Sequence, residues 1–180
     1  GEHYIEFIRE LSIPCRANGI VLSVDNYVPT GYTNHYNRKE QGIVADYVII
    51  MGYDEHYAGS AEAGSVASIN FVEEGIKQTV EQVPANKIIN AVPFFTRFWK
   101  TDVEGSVTSE AIGMDEEDVK VQNNNAEKVW NETCKQYYVE FDYDGSTYQM
   151  WMEEENSIEE KMKLIKQYDL AGVSSWRLGY

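Results

Sequence analysis

The sequence predicts an α/β fold built on a parallel sheet and interrupted by an α+β insertion. Three observations lead there. Four apolar runs (residues 20–29, 46–54, 87–95 and 171–180) read as strands, and the first two lack strict polar alternation, as expected of parallel strands covered on both faces. Helical periodicity and capping residues lie between them. Between the third and fourth runs, residues 101–160 hold 17 Asp and Glu against Lys120, Lys128 and Lys135, a composition shift that marks a separate surface. The expected boundaries are 1–100, the insertion at 101–156, and 157–180.

The elements follow in order. Tyr4, Ile8, Leu11 and Cys15 share one helical face, and Asn18-Gly19 stops the helix. Pro14 should kink its last turn or end it early. The runs IVLSVDNYVP and DYVIIMGYD read as buried strands. Ser68 is a candidate cap for a helix with Ile69, Val72, Ile76 and Val80 inward. KIINAVPFF is a third strand, ended by Pro93. In the insertion, DEEDVKVQ and AEKVWNET read as short helices. Val139, Phe141 and Tyr143 then alternate up to Asp144-Gly145, and Tyr148, Met150 and Met152 alternate after it, which is a hairpin pattern. Ser157 and Glu160 read as a capping box for a helix through Tyr168, with Ile158, Met162 and Ile165 inward. AGVSSWRLGY closes the chain as a fourth strand.

Composition narrows the function. The 180 residues carry a formal net charge of −15, which repels nucleic acid and anionic bilayers. No apolar run reaches membrane-spanning length, and GEHYIEFIRE lacks the regions of a signal peptide. Cys15 and Cys134 cannot form a disulfide scaffold; both are expected to be free thiols, and they leave the compartment open. His3, His35 and His56 are widely spaced without a metal-binding pattern, and neither GxSxG nor GxxxxGK[ST] occurs. Glu153-Glu154-Glu155 reads as a solvated face. Asn131-Glu132-Thr133 is a glycosylation sequon that matters only in a secreted eukaryotic protein.

The strand ends are the places to look for chemistry. They carry Asp25-Asn26-Tyr27, Tyr53-Asp54-Glu55-His56, Thr96-Arg97-Phe98-Trp99 and Trp176-Arg177, and the carboxyl ends of parallel strands form the ligand face. Aromatic rings stack on a pyranose while carboxylates and guanidinium bind its hydroxyls. Residue types alone leave two readings open: a sugar-binding face, or core aromatics with satisfied polar strand ends.

Here the residues resemble a family. MGYD at 51–54, VPFFTRFW at 92–99 and GVSSWRLG at 172–179 resemble the sixth, seventh and eighth strands of family 18 glycoside hydrolases, chitinase-like TIM barrels. DEHYAGSAEAGSVAS and SIEEKMKLIKQYDLAGVSSW are similar to phrases of the bacterial spore-cortex and cell-wall N-acetylglucosaminidase branch. The resemblance covers essentially the whole chain. It implies strands five to eight of a (β/α)8 barrel, with 1–100 running from helix four to strand seven and 157–180 giving the last helix and strand. It also implies substrate-assisted retaining hydrolysis of an N-acetylglucosamine-containing glycan, peptidoglycan before chitin, without cofactor or metal. Tyr53 would hydrogen-bond the 2-acetamido group; Asp54 would bind hydroxyls; Trp176 would floor the distorted sugar; Arg97 and Trp99 would line a neighbouring subsite, with Asn26 also contacting substrate. Two departures stand out: nothing matches the family's DxxDxDxE motif, whose Glu is the general acid, and Phe95 stands where the family often has Tyr. The chain alone is therefore expected to be inactive, with its partner the missing N-terminal half or a second copy. The cell wall, the spore or a secreted location is implied. A lectin-like barrel of the same family, which holds glycan without cutting it, is the alternative.

Overall fold

The computed structural model describes residues 1–179, which cluster into two compact units. No described helix is long and apolar enough to cross a membrane.

The first unit comprises Gly1–Gly52, Glu73–Ala91 and Lys163–Ser174. Helix α1 (Glu2–Ala17) leads into β1 (Ser23–Tyr27), α2 (Arg38–Val44) and β2 (Tyr47–Met51). After α3 (Ile69–Val80) comes β3 (Ile88–Pro93), and the last strand of the chain is β9 (Gly172–Trp176). These strands form one sheet in the order β1-β2-β3-β9. β1 pairs β2 in parallel from Ser23↔Tyr47, and β2 pairs β3 in parallel from Val48↔Ile88. The sheet is open rather than a closed barrel, with β1 and β9 as its edges. Val48, Ile50 and Ile88 of the sheet and Ile76 of α3 are buried in its core.

α1 buries Ile5, Ile8, Ser12 and Cys15, whereas Tyr4 and Leu11 are exposed, so the inward face is rotated from the expected one. Pro14 neither ends nor shortens the helix; the Glu10 carbonyl it leaves without a donor lies on the exposed side and can face water. The stop at Asn18-Gly19 is as expected: Gly19 has φ +66° and the Ile20 N–H reaches back 2.9 Å to the Cys15 carbonyl, a Schellman-type end.

The second unit comprises Tyr53–Val72, Val92–Met162 and the residues from Ser175. Its antiparallel sheet runs β5-β4-β8-β7-β6, with β4 (Phe95–Thr101), β5 (Val107–Gly113), β6 (Lys128–Asn131), β7 (Gln136–Tyr143) and β8 (Ser146–Trp151). α4 (Met114–Asn123) precedes β6. The insertion sheet thus begins at Phe95, six residues earlier than composition placed it, because the chain turns at Phe94 directly from β3 into β4. The hairpin at Asp144-Gly145 is present, with φ values of +48° and +72° that suit a two-residue turn between Tyr143 and Ser146.

Residues 126–133 contain strand β6, not a helix. Val129 and Trp130 favour extended backbone. The Asn131 carboxamide oxygen accepts from Thr133 and Cys134 N–H at 3.0 and 3.1 Å, turning the chain into β7.

α5 (Glu155–Gln167) spans the boundary of the two units. The capping box is real but shifted. Glu154 Oε1 accepts from the Ser157 N–H at 3.0 Å, and Ser157 Oγ accepts from the Glu154 N–H at 3.0 Å. Ser157 is therefore the third helical residue rather than the cap, and its partner in the exchange is Glu154. The Glu153 end of the acidic run is not solvated. Glu153 is fully buried, and its carboxylate meets Lys161 Nζ at 3.0 Å through both oxygens. Both cysteines are free thiols, Cys15 buried and Cys134 partly so.

Candidate functional site

The site is built where β2 leaves the parallel sheet. Gly52 donates its N–H to the Ala91 carbonyl at 3.1 Å, and a Cβ there would stand 2.8 Å from both that oxygen and Asn90 Oδ1. No side chain fits at such a separation, so the glycine lets β2 run close against β3 up to the polar residues. Tyr53 follows, 8% exposed, its ring edge-to-face with Phe95 at 6.1 Å and 71°. Phe95 thus supplies a ring contact where the family's usual Tyr would add a hydroxyl.

Asp54 adopts φ +63°, a left-handed conformation that Asp tolerates better than most residues. Burial pushes its carboxyl above the usual range, and the charge of Arg97 acts in the opposite direction. The loop after it is tightly tied: the Glu55 and His56 N–H groups donate to the Val66 and Ser65 carbonyls, and the Glu55 carboxylate accepts from the Ser68 N–H and hydroxyl. Ser68 also caps α3, accepting from the Phe71 N–H at 3.3 Å, as the sequence suggested.

Arg97 on β4 donates through Nε to Ser109 Oγ at 2.7 Å, and its guanidinium lies 5.9 Å over the Trp99 ring. Trp99 itself corrects the sequence reading. It is 1% exposed and spends its indole N–H on the Gly64 carbonyl at 2.9 Å, so it offers no face to a sugar. Asn26 is a second correction. Its side chain is buried in the first unit and exchanges hydrogen bonds of 2.6 and 3.0 Å with Gln41, leaving an interior polar pair instead of a ligand contact. Trp176, by contrast, is 51% exposed; its carbonyl accepts from the Phe94 N–H at 2.7 Å. The structure thus groups Tyr53 with Phe95, and Asp54 with Arg97, and fixes Trp176 through its backbone beside Phe94.

Sequence reasoning missed a set of residues on the same face of the antiparallel sheet as Arg97. Trp99 is opposite Gln149, Glu140 is opposite Gln149 on the other side, and Tyr138 is opposite Trp151. Side chains alternate along strands, so these residues share one face. Tyr138 and Trp151 stand 4.8 Å apart; Gln149 donates to the Tyr138 oxygen at 2.7 Å, and the Tyr138 hydroxyl donates to Glu140. Burial and that hydrogen bond push the Tyr138 hydroxyl up to about 12. The hairpin alone would have paired Tyr138 with Trp151. Setting them beside Arg97 needs the β4–β8 pairing, for which the sequence carries no local signal.

Comparison with known proteins identifies the family. The family model described as glycosyl hydrolases family 18 matches residues 1–180. The chain is 29% identical, over 96% of its length, to the Bacillus subtilis protein YdhD, named as a sporulation-specific glycosylase, and 26% identical over 99% to the cortical fragment-lytic enzyme of the same organism. It spans 42% and 43% of those two proteins. The solved structure of a chitinase from Chromobacterium violaceum superposes with a TM-score of 0.89 at 26% identity, over 99% of this chain and 57% of that one. On this match across its full length, the chain belongs to the glycosyl hydrolases of family 18.

Proposed function

We propose that the chain forms strands five to eight of a (β/α)8 barrel whose whole protein hydrolyses an N-acetylglucosamine-containing glycan with retention, through the substrate's own acetamido group. In this reading a Glu outside these 180 residues protonates the glycosidic oxygen as the bond to the anomeric carbon breaks. The acetamido oxygen attacks that carbon, and water then opens the oxazolinium. Tyr53 hydrogen-bonds the acetamido group as charge develops there. Asp54 binds hydroxyls beside it, Arg97 lines the next subsite, and Trp176 floors the distorted sugar. Tyr138, Gln149 and Trp151 extend the wall on the Arg97 face. The observation that carries the reading is the tyrosine–aspartate pair just past β2, with Arg97 as the charge that faces Asp54.

Peptidoglycan is proposed before chitin, and the cell wall or spore as the location, because one relative is named as a sporulation-specific glycosylase and a similar solved structure as a spore cortex-lytic enzyme. The missing N-terminal half of the barrel, or a second copy of the chain, is the proposed partner. A fluorogenic N-acetylglucosaminide assay on the longer protein that contains this sequence tests the reading. Turnover by that protein, and none by residues 1–180 alone, is expected. Glycan binding without turnover would replace hydrolysis with the lectin-like alternative.

A further inference from the structure

Phe98, Lys100, Thr108, Glu110 and Tyr148 alternate with Arg97 and Trp99 in the pairings of β5, β4 and β8, so they lie on the opposite face of the antiparallel sheet from the candidate cleft. α4 covers part of that face: its Val121 packs on the cluster of Phe98, Ile112, Val139, Met150 and Met152, and its Lys120 ammonium sits 4.5 Å over the Phe98 ring. Beside it opens a groove of about 370 Å³, a volume within the range of small-ligand sites, lined by Phe98, Tyr148, Lys100, Lys120, Thr108 and Glu110.

The lysines are the unusual feature. Lys120, Lys128 and Lys135 are each paired with a carboxylate, Glu110, Asp118 and Glu132 respectively. Lys100 is exposed and, among the described residues, has no carboxylate partner, although 17 acidic residues follow it within sixty positions. Its ammonium lies 6.0 Å over the Tyr148 ring, and both residues line the groove. With Glu110 offsetting Lys120, the groove keeps one uncommitted positive charge beside an apolar wall and the Thr108 hydroxyl. A neutral chitin chain offers that ammonium hydroxyl and amide oxygens but no opposite charge.

We propose that this groove is a second glycan contact, remote from the cleft, that takes an acidic aminosugar through its carboxylate: Lys100 binds the carboxylate, while Phe98 and Tyr148 pack against the sugar or its acyl substituent. This rests on the reading of the chain as part of an N-acetylglucosaminide-cleaving protein and adds to it a preference for anionic over neutral glycan. The carboxylate can be a lactyl ether on the ring or the end of an attached peptide, and both present the same group to Lys100.

The test uses the 180-residue chain, ¹⁵N-labelled, titrated with chitobiose, with N-acetylglucosaminyl-N-acetylmuramic acid, and with the same disaccharide bearing a dipeptide. The two acidic ligands should shift amides of residues 98–100, 108–110 and 148; chitobiose should not. Lys100→Gln should weaken the acidic ligands about tenfold, as expected for loss of one charge-assisted hydrogen bond, and Lys100→Arg should keep most of the affinity. A response to only one acidic ligand identifies which carboxylate is read. Shifts at these residues with chitobiose, or acidic binding that is equal in wild type and Lys100→Gln, overturns the proposal. Turnover of a neutral fluorogenic substrate by the longer protein should be unchanged by Lys100→Gln, so failure of the groove and failure of the hydrolase reading give different results.

Discussion

Lys161→Met should destabilise the chain by about 3 kcal/mol, the lower end of the ~3–5 kcal/mol found when one partner of a buried ion pair is removed. Lys161 and Glu153 are 1% and 0% exposed, and the ammonium lies 3.0 Å from both carboxylate oxygens. Met fills the aliphatic volume of the lysine stem but leaves the carboxylate buried without its counter-charge. Two donors soften the loss: Ser157 Oγ at 2.9 Å and Gln136 Nε2 at 2.7 Å, with Gln136 held in turn by Ser65 at 2.5 Å. A second buried carboxyl, Glu117, accepts from the Glu153 N–H and keeps the pocket unfriendly to an unpaired anion. For a domain of this size the change corresponds to a fall in Tm of about 6–12 °C. Urea unfolding followed by tryptophan fluorescence at pH 7 measures it. Glu153→Gln combined with Lys161→Met removes both charges and should recover most of the loss. A single-variant cost below about 1 kcal/mol, or a double variant no better than the single, would mean that the pair is not the tie it looks like.

Further expectations follow from the same contacts. Glu117 is fully buried with Oε2 unpartnered, and burial followed by the nearby Glu153 raises its carboxyl well above the usual range. Its contribution to stability is therefore complete at acid pH, below the unfolded-chain value, and is lost as pH rises toward the folded value; Glu117→Gln should flatten the decline in stability as pH rises above the ordinary carboxylate range, measured by urea unfolding at a series of pH values. Tyr53→Phe in the longer protein should lower kcat more than it changes KM, by about 100-fold for one donor worth roughly 3 kcal/mol in the transition state; an unchanged kcat would assign Tyr53 to the core. Gly52→Ala should fail to fold to wild-type stability, since its Cβ would stand 2.8 Å from a backbone oxygen, and circular-dichroism melting would show it. The isolated chain, with open edges at β1 and β9, should associate, more so at high salt as repulsion between its acidic surfaces is screened; a monomer by light scattering at both low and high salt would contradict this.

Much of the fold was legible because its signals are local. Continuous apolar runs gave β2 and β3, Ser68 gave the start of α3, and Asp144-Gly145 gave the hairpin. The failures came where tertiary context decided. Pro14 looked like a helix end, yet its position on the exposed side made the lost hydrogen bond tolerable. Residues 126–133 had helix formers, Glu127 and Lys128, but an Asn131 turn and a waiting neighbour in β7 drew them into a strand. Glu153 looked like one of three surface acids, and only the α5 register brings Lys161 to it. At the site, residue type identified Tyr53, Asp54, Arg97 and Trp176 as worth attention. It could not distinguish Trp99, whose indole N–H is spent on Gly64, from an exposed aromatic. Nor could it reach Tyr138 and Trp151, whose relation to Arg97 depends on strand pairing across fifty residues.

The order β1-β2-β3-β9 has a consequence for synthesis. β2 is made before β3 and can pair with it at once, but the neighbour on its other flank, β9, is encoded about 80 residues downstream, after every strand of the antiparallel sheet. At ribosomal rates of about 5–20 residues per second, the β3 flank stays unpaired for roughly 4–16 s in each nascent chain. The antiparallel sheet, whose strands all lie between residues 95 and 151, can close within that interval and draw the two ends of its segment toward each other. Termination before Gly172 would release a chain carrying its insertion sheet but with one flank of β3 permanently unpaired. Translation speed through 94–171, rather than the stability of the finished protein, would then decide how much chain is lost to aggregation.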